Sequence, residues 1–155
     1  MSEYNAKVVW RRAAQETFVD NKYSREHLWK FDGGACVAAS ASPNIVPLPY
    51  SVAQNVDPEE AFVASVSSCH MLFFLAQAAK RRLVINDYED NAVGVMKKDS
   101  DGKISITDIE LNVKVIFAKV EEVTRREIEE MHHLSHEQCF IANSIKGQVT
   151  TNIIE

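Results

Sequence analysis

The chain has 155 residues and a formal net charge of -5 at pH 7, from 17 Lys and Arg against 22 Asp and Glu. This length predicts a single domain over residues 1–155, with a core that needs no disulfide or metal for stability. The acidic balance provides no basic face for phosphate groups, which argues against a nucleic-acid partner. Because 46% of the residues are hydrophobic and 25% are charged, wholesale disorder is also excluded.

The first residues are polar and run into a short apolar piece that is too short for a secretory signal or a membrane span. We therefore expect a cytoplasmic protein without a membrane partner. The chain contains three cysteines, Cys36, Cys69 and Cys139, and none of them lies in a Cys-x-x-Cys pair. In a reducing compartment such cysteines are either buried packing residues or reactive thiols, and they do not form structural disulfides.

The first third of the chain shows strand patterns. Residues 5–12, 25–31 and 35–38 are short and apolar or alternating, and a turn at 32–34 joins the last two, which predicts a three-stranded meander. Three prolines between residues 40 and 56 exclude a helix interior or a central strand there and predict a long loop.

A helix is predicted from residue 58 to about residue 81. Asp57 is a favourable N-cap, Pro58 suits the first helical position, and Glu60 completes a capping box. The middle of the helix is apolar or small all round, and a helix without a polar face is buried on all sides. One small sheet cannot cover so much surface, so we expect a second subunit to cover part of it.

The remaining residues alternate between strands and helices. Strand patterns at 84–97 and 103–118 are joined by a turn of the Asp-Gly kind, and in the second strand one face is apolar from Ile109 to Phe117. Residues 120–134 predict an amphipathic helix, and Ser135 to Gln138 form a second capping box that opens a short helix closed by Gly147. A last strand is predicted at 148–154. This order indicates an α+β fold.

Cys69 lies in the middle of the predicted buried helix, where it is either a small hydrophobe or a nucleophile that needs a cationic neighbour. The candidates for that cation are Arg11, Arg12 and Arg25, and Arg25 lies at the start of a predicted strand. Cys139 is expected near the positive end of the short helix that opens at Ser135, where a thiolate is modestly favoured.

As an alternative, Cys139 could belong to a zinc site. His132, His136 and Cys139 are spaced for one helical face and could bind zinc together with Cys69. His133 lies in the same cluster. A helix break at Ser135 would take His132 off this face, which argues against the site. Cys36, on a short apolar strand, is most simply a core residue.

Two segments resemble a known family. The first is Asp57-Pro58-Glu59-Glu60-Ala61-Phe62, with Cys69 ten residues after Glu59, and the second is His136-Glu137-Gln138-Cys139-Phe140-x-x-Asn143. They resemble the OsmC/Ohr family of thiol-dependent organic hydroperoxide reductases. The resemblance implies an α+β fold in which antiparallel sheets wrap around a long buried central helix, within an intertwined homodimer.

The resemblance also implies roles for individual residues. Cys69 matches the family's peroxide-attacking cysteine, Cys139 the resolving cysteine, Glu59 the active-site glutamate, and Arg25 the active-site arginine. His70 and Phe140 depart from the family pattern. Phe140 replaces the usual proline after the second cysteine, which bears on the geometry of disulfide closure.

The mechanism implied by the resemblance needs neither a metal nor a cofactor. Arg25, fixed by a bidentate ion pair with Glu59, would hold Cys69 as a thiolate that attacks an organic hydroperoxide. Cys139 would convert the resulting sulfenic acid into a disulfide, and an external dithiol or lipoyl-type reductant would reduce it. The alternatives are a non-catalytic protein that binds a small ligand near Cys69, and a zinc protein that uses His136 and Cys139.

Helix geometry bears on assembly. Glu59 and Cys69 are ten residues apart, which places their backbones about 15 Å apart along one helix, and a glutamate side chain cannot span that distance. No helix breaker lies between them. We therefore expect a homodimer with shared sites, in which Arg25 and Glu59 of one chain serve Cys69 and Cys139 of the other.

Overall fold

The computed structural model describes residues 1–155 and divides them into two compact units, Met1–Ala61 and Phe62–Glu155. The first unit contains a three-stranded sheet. The second contains a four-stranded sheet, most of one long helix and a shorter helix. The predicted α+β class is confirmed.

The sheet of the first unit is an antiparallel meander of β1 (Ala6–Val9), β2 (His27–Phe31) and β3 (Cys36–Ala39). The three predicted strands are therefore present. Gly34, with a φ of 93°, provides the left-handed residue that the turn between β2 and β3 requires. Residues 40–56 form the predicted long loop, apart from one isolated bridge between Ala39 and Val56.

The long helix α1 spans Pro58–Lys80 and begins where the sequence predicted. Its capping box is formed: the Asp57 carboxylate accepts from the Glu60 N–H and the Glu60 carboxylate accepts from the Asp57 N–H, both at 2.8 Å.

Only one face of α1 is buried within the chain. The buried positions recur every fourth residue and are Val66, His70, Phe74 and Ala78. The prediction that α1 is buried on all sides is not met within the single chain, because the sheet of the second unit covers only one side of the helix. Length and composition alone would let α1 cross a membrane, a test that core helices of soluble proteins also pass.

The second sheet is organised around β6 (Ile104–Phe117), which pairs with β4 (Ile85–Asp90), β5 (Val93–Lys98) and β7 (Gln148–Ile154). Both β4 and β5 pair antiparallel with β6, and their common register from Asp87 to Val95 is shifted by irregularities between Ile85 and Asp87 and between Val95 and Met96. The single strand predicted at 84–97 is therefore interrupted at residues 91–92. β7, predicted at these residues, pairs with β6 in parallel.

The apolar face of β6 forms the core against α1. One cluster contains Val66, Ile109, Leu111 and Val113, and a second contains Phe74, Ala78, Phe117 and Met131. The alternation predicted for β6 is confirmed, because the buried positions are every second residue of the strand.

The end of the chain differs from the prediction. One helix, α2, spans Arg125–Gln138 and is capped at Thr124 by a capping box with Glu127. Ser135 is not a cap: it lies inside the helix, and its hydroxyl donates to the Met131 carbonyl at 2.6 Å, a bond that serine makes within helices. A 3-10 turn at Ala142–Ser144 replaces the predicted second helix.

Candidate active site

The thiols of Cys69 and Cys139 meet within the second unit. Cys69 lies on α1 and is partly exposed, whereas Cys139 follows the last residue of α2 and is fully buried. The two side chains lie close enough together for the Cys69 thiol to raise the pKa of the Cys139 thiol. The structure therefore brings together two cysteines that are 70 positions apart in the sequence.

Burial raises the pKa of the Cys139 thiol above its ordinary value, and the nearby Cys69 thiol raises it further. The Ala142 N–H, which donates to the Cys139 sulfur at 3.4 Å, opposes this shift. Cys139 is thus a neutral thiol at neutral pH. A buried neutral thiol cannot attack an incoming molecule, whereas the more accessible Cys69 can be reached from solvent.

The expected environment of Cys139 was wrong. Because α2 continues through Ser135, Cys139 is the C-cap of a long helix and does not lie near the N-terminus of a short one. The dipole at a helix C-terminus disfavours negative charge, so the helix does not promote a Cys139 thiolate.

Two buried histidines lie in the core between α1 and α2. His70 follows Cys69 on α1, and its Nε2 lies 2.9 Å from Nδ1 of His132 on α2. Only 1% of His70 and 4% of His132 is exposed to solvent. Nδ1 of His70 and Nε2 of His132 have no hydrogen-bond partner. Burial lowers the pKa of His70 to about 4 and that of His132 to about 3.

Sequence reasoning treated His132 as a metal-ligand candidate and missed its pairing with His70. One signal was available: His70 occupies the fourth-residue stripe of α1 that Val66, Phe74 and Ala78 define. A polar residue on an apolar stripe needs a partner from another element.

Phe140, the residue after Cys139, packs against α1. Its ring makes an edge-to-face contact with Phe73 at a centroid distance of 5.1 Å, and 71% of Phe140 is exposed. Phe73 lies one helical turn after Cys69 on α1, and Phe140 directly follows Cys139. The two rings therefore place an apolar surface next to the sulfur pair.

Arg25 belongs to the first unit, at the entrance to β2. Its Nη1 donates to the carbonyls of Asn21, at 2.8 Å, and of Tyr23. The guanidinium carbon lies 3.7 Å from the centre of the Tyr23 ring. The arginine is thus held by neutral groups of its own loop.

Glu59, in the first turn of α1, also belongs to the first unit. Its Oε2 is buried without a hydrogen-bond partner. The predicted ion pair between Glu59 and Arg25 is not formed within the chain, because the arginine is held by the two carbonyls and the tyrosine ring. A buried carboxylate oxygen without a partner is unfavourable, so Glu59 lacks a donor that the single chain does not supply.

The remaining cysteine and histidines do not form a site. Cys36 is exposed on β3, which contradicts its expected place in the core. His133 is exposed and lies 3.4 Å from Glu137. No three His, Cys, Asp or Glu side chains are arranged to hold a metal ion, so the geometry does not favour the zinc alternative built on His136 and Cys139.

Comparison with known proteins decides the family. The sequence model of the OsmC-like protein family matches residues 52–154. The chain belongs to the OsmC-like family. The resemblance inferred from the two sequence segments is therefore confirmed. The matched span of this OsmC-like protein includes Glu59, Cys69 and Cys139, and Arg25 lies before it. No curated protein sequence matches the chain.

Solved structures agree with this assignment. An OsmC-like protein of unknown function from Vibrio cholerae is 55% identical, with 99% of this chain and 100% of that chain covered and a TM-score of 0.97. An OsmC-like protein from Mycoplasma pneumoniae is 16% identical, with 99% and 96% covered and a TM-score of 0.73. The organic hydroperoxide resistance protein OhrB of Bacillus subtilis is 21% identical, with 97% and 96% covered and a TM-score of 0.62. The last two share the fold.

Proposed function

We propose that this OsmC-like protein is a thiol-dependent peroxidase that reduces organic hydroperoxides to alcohols. The observation that carries the proposal is the proximity of Cys69, which solvent can reach, to Cys139, which is buried. A two-cysteine peroxidase needs one accessible thiol for attack and a second thiol close enough to form a disulfide. Some family members with this fold are named for organic hydroperoxide resistance.

The reaction has three steps. The Cys69 thiolate attacks the distal oxygen of the hydroperoxide, the O–O bond breaks, and the alkoxide takes up a proton and leaves as the alcohol. Cys69 is then a sulfenic acid, and the Cys139 sulfur displaces its hydroxyl group to form a disulfide and water. An external dithiol, such as a lipoyl group, reduces the disulfide and is itself oxidised.

The apolar surface beside the sulfur pair supports an organic substrate. The exposed ring of Phe140, with the partly buried ring of Phe73 against it, provides aromatic surface close to the residues that carry the two thiols. Such a surface binds the hydrocarbon part of an organic hydroperoxide, whereas hydrogen peroxide has no apolar group that could contact it. Phe140, in place of the proline usual in the family, therefore contributes to substrate binding in this proposal.

The proposed enzyme is a homodimer with shared sites. Leu72, on α1, is 60% exposed, and within the first unit Ala39 is the only fully buried hydrophobic residue. A second copy would cover these surfaces. It would also supply the donor that the buried Oε2 of Glu59 lacks. In this arrangement Arg25 and Glu59 of one protomer serve the thiols of its partner, and Arg25 favours the Cys69 thiolate.

Mass measurement of the peroxide-treated protein tests the chemistry. We expect cumene hydroperoxide to produce a Cys69–Cys139 disulfide. Cys69→Ser should abolish peroxide consumption, and Cys139→Ser should allow one stoichiometric oxidation before the reaction stalls. Cys36→Ser is the matched control and should retain full turnover. Equal loss of activity in Cys36→Ser would contradict the proposed pair.

The shared site is tested with mixed dimers. A Cys69→Ser chain mixed with a Glu59→Ala chain should form heterodimers with one intact site, and activity should return. Arg25→Ala should slow alkylation of Cys69 by iodoacetamide at neutral pH, because removing a nearby cation disfavours the thiolate. A monomer by light scattering, or no rescue in the mixture, would exclude the shared site and leave the thiol chemistry intact.

A further inference from the structure

The first unit contains an aromatic cavity of about 470 Å³. This volume lies within the roughly 300–1,000 Å³ of pockets that bind small molecules. Its lining includes Val8, Trp10, Phe18, Tyr23, Arg25 and His27. All of them belong to β1, β2 or the segment between these strands.

Three aromatic rings form a wall of this cavity. The Phe18 and Tyr23 rings are stacked at 4.6 Å, and the Trp10 ring meets Tyr23 edge-on at 5.6 Å and Phe18 at 6.0 Å. The indole N–H of Trp10 donates to the Ser24 carbonyl at 2.8 Å, which fixes the ring. The wall is therefore prearranged to contact a flat apolar group.

Arg25 brings the positive charge to the cavity. Both of its hydrogen bonds to the protein come from Nη1, so the edge formed by Nε and Nη2 has no protein acceptor. No acidic side chain of the chain forms an ion pair with Arg25. A guanidinium edge held in this way matches the two oxygens of a carboxylate.

His27 does not add a second free donor to the cavity. Its Nε2 accepts from the indole N–H of Trp29 at 3.0 Å, and its Nδ1 lies 2.7 Å from the Arg25 carbonyl, to which it donates. Both ring nitrogens already have protein partners, so the imidazole has no free N–H to offer to a ligand. Arg25 is thus the cationic group available to a ligand, and one negative charge is enough to match it.

We propose that this cavity binds an aromatic monocarboxylate. The ring of the ligand packs against Trp10, Phe18 and Tyr23, and its carboxylate accepts two hydrogen bonds from Nε and Nη2 of Arg25. The site requires neither Cys69 nor Cys139. If Arg25 also serves the thiols as proposed above, the carboxylate competes with the hydroperoxide for the same guanidinium.

Isothermal titration of the full-length protein tests the ligand class. 3-Phenylpropionate is the probe, and 3-phenylpropanamide and butyrate are the matched compounds that lack the charge or the ring. We expect 3-phenylpropionate to bind at least about tenfold more tightly than either one, because both the charge-assisted hydrogen bonds and the ring contacts contribute. Equal binding of the amide, or no binding of 3-phenylpropionate, overturns the proposal.

Variants identify the residues. Arg25→Gln should weaken 3-phenylpropionate binding at least about tenfold, and Phe18→Ala should weaken it without changing butyrate binding. Arg12→Gln is the matched control: Arg12 also donates to backbone carbonyls of the same loop but does not line the cavity, so binding should be unchanged. Unchanged affinity in both Arg25→Gln and Phe18→Ala overturns the proposal.

Two further variants separate this site from its alternatives. The Cys69→Ser, Cys139→Ser double variant should bind 3-phenylpropionate as the wild type does, whatever the outcome of the peroxidase tests. Glu59→Gln should also leave the affinity unchanged. If binding appears only in Glu59→Gln, the guanidinium edge is occupied by the carboxylate of Glu59, and the cavity is not a carboxylate site.

Discussion

The buried pair of His70 and His132 makes the stability of the protein depend on pH. Burial lowers the pKa values of these histidines to about 4 and about 3, whereas the unfolded chain has ordinary values near 6.5. Between these limits the unfolded state binds more protons than the folded state, so protonation favours unfolding. The stability contributed by the neutral pair is present above about pH 6.5 and is lost as the pH falls toward 4.

The expected magnitude follows from the shifts. From pH 7 to pH 5, each histidine should lower the free energy of unfolding by about 2 kcal/mol, and the pair by about 4 kcal/mol. The charged groups near the pair do not stabilise its protonated form, because His136 further lowers the pKa of His70 and Arg125 further lowers the pKa of His132.

Urea unfolding at pH 7 and pH 5, at fixed protein concentration, measures this loss. The matched variant is His70→Phe combined with His132→Leu, which removes both titrating groups. His133→Gln, at an exposed position, is the control and should keep the wild-type pH dependence. If the double variant loses as much stability as the wild type between these pH values, the histidine pair is not the cause.

Three further predictions concern packing and capping, each measured as the change in free energy of unfolding. Leu111→Ala, in the fully buried face of β6, should cost about 2–5 kcal/mol, and a loss below 1 kcal/mol would contradict its place in the core. Gly147→Ala should cost about 1–3 kcal/mol, since the added Cβ would lie 2.7 Å from the Ile106 carbonyl oxygen, whereas Gly33→Ala, in open space, should cost much less. Thr124→Ala should cost about 1 kcal/mol because the capping box is lost, and normal stability would mean that α2 starts elsewhere.

Sequence signals that depend on local hydrogen bonds predicted the structure well. The capping box of Asp57 and Glu60 fixed the start of α1, and the turn before Lys103 fixed the hairpin between β5 and β6. In both cases donor and acceptor lie within four residues of each other. Such signals need no knowledge of the rest of the fold.

Signals that depend on packing were ambiguous. Thr124 with Glu127 and Ser135 with Gln138 both have the spacing of a capping box, and only the first is formed. The helix continues through Ser135 because Met131 and Ser135 are buried on the same face of α2. No local rule distinguishes the two boxes.

The candidate site was predictable only in part. The resemblance to the OsmC/Ohr family paired Cys69 with Cys139, and the structure places these side chains close together. The contact between His70 and His132 joins residues 62 positions apart, and the spacing along α1 indicates only that His70 needs a partner, not which residue provides it. The environment of Cys139 depended on where α2 ends, so its prediction failed together with that of Ser135.

The central position of β6 has a consequence for the order in which the second unit forms. β5 and β6 are joined by a tight turn, so their pairing closes a short loop and can form early. Residues 118–147 separate β7 from β6 in the sequence, and this segment must be placed before β7 can pair in parallel with β6. We therefore expect β7 to be the last strand to join the sheet. The amides of β7 should therefore exchange with solvent before those of β6, and we expect the second unit to open first at its C-terminal strand.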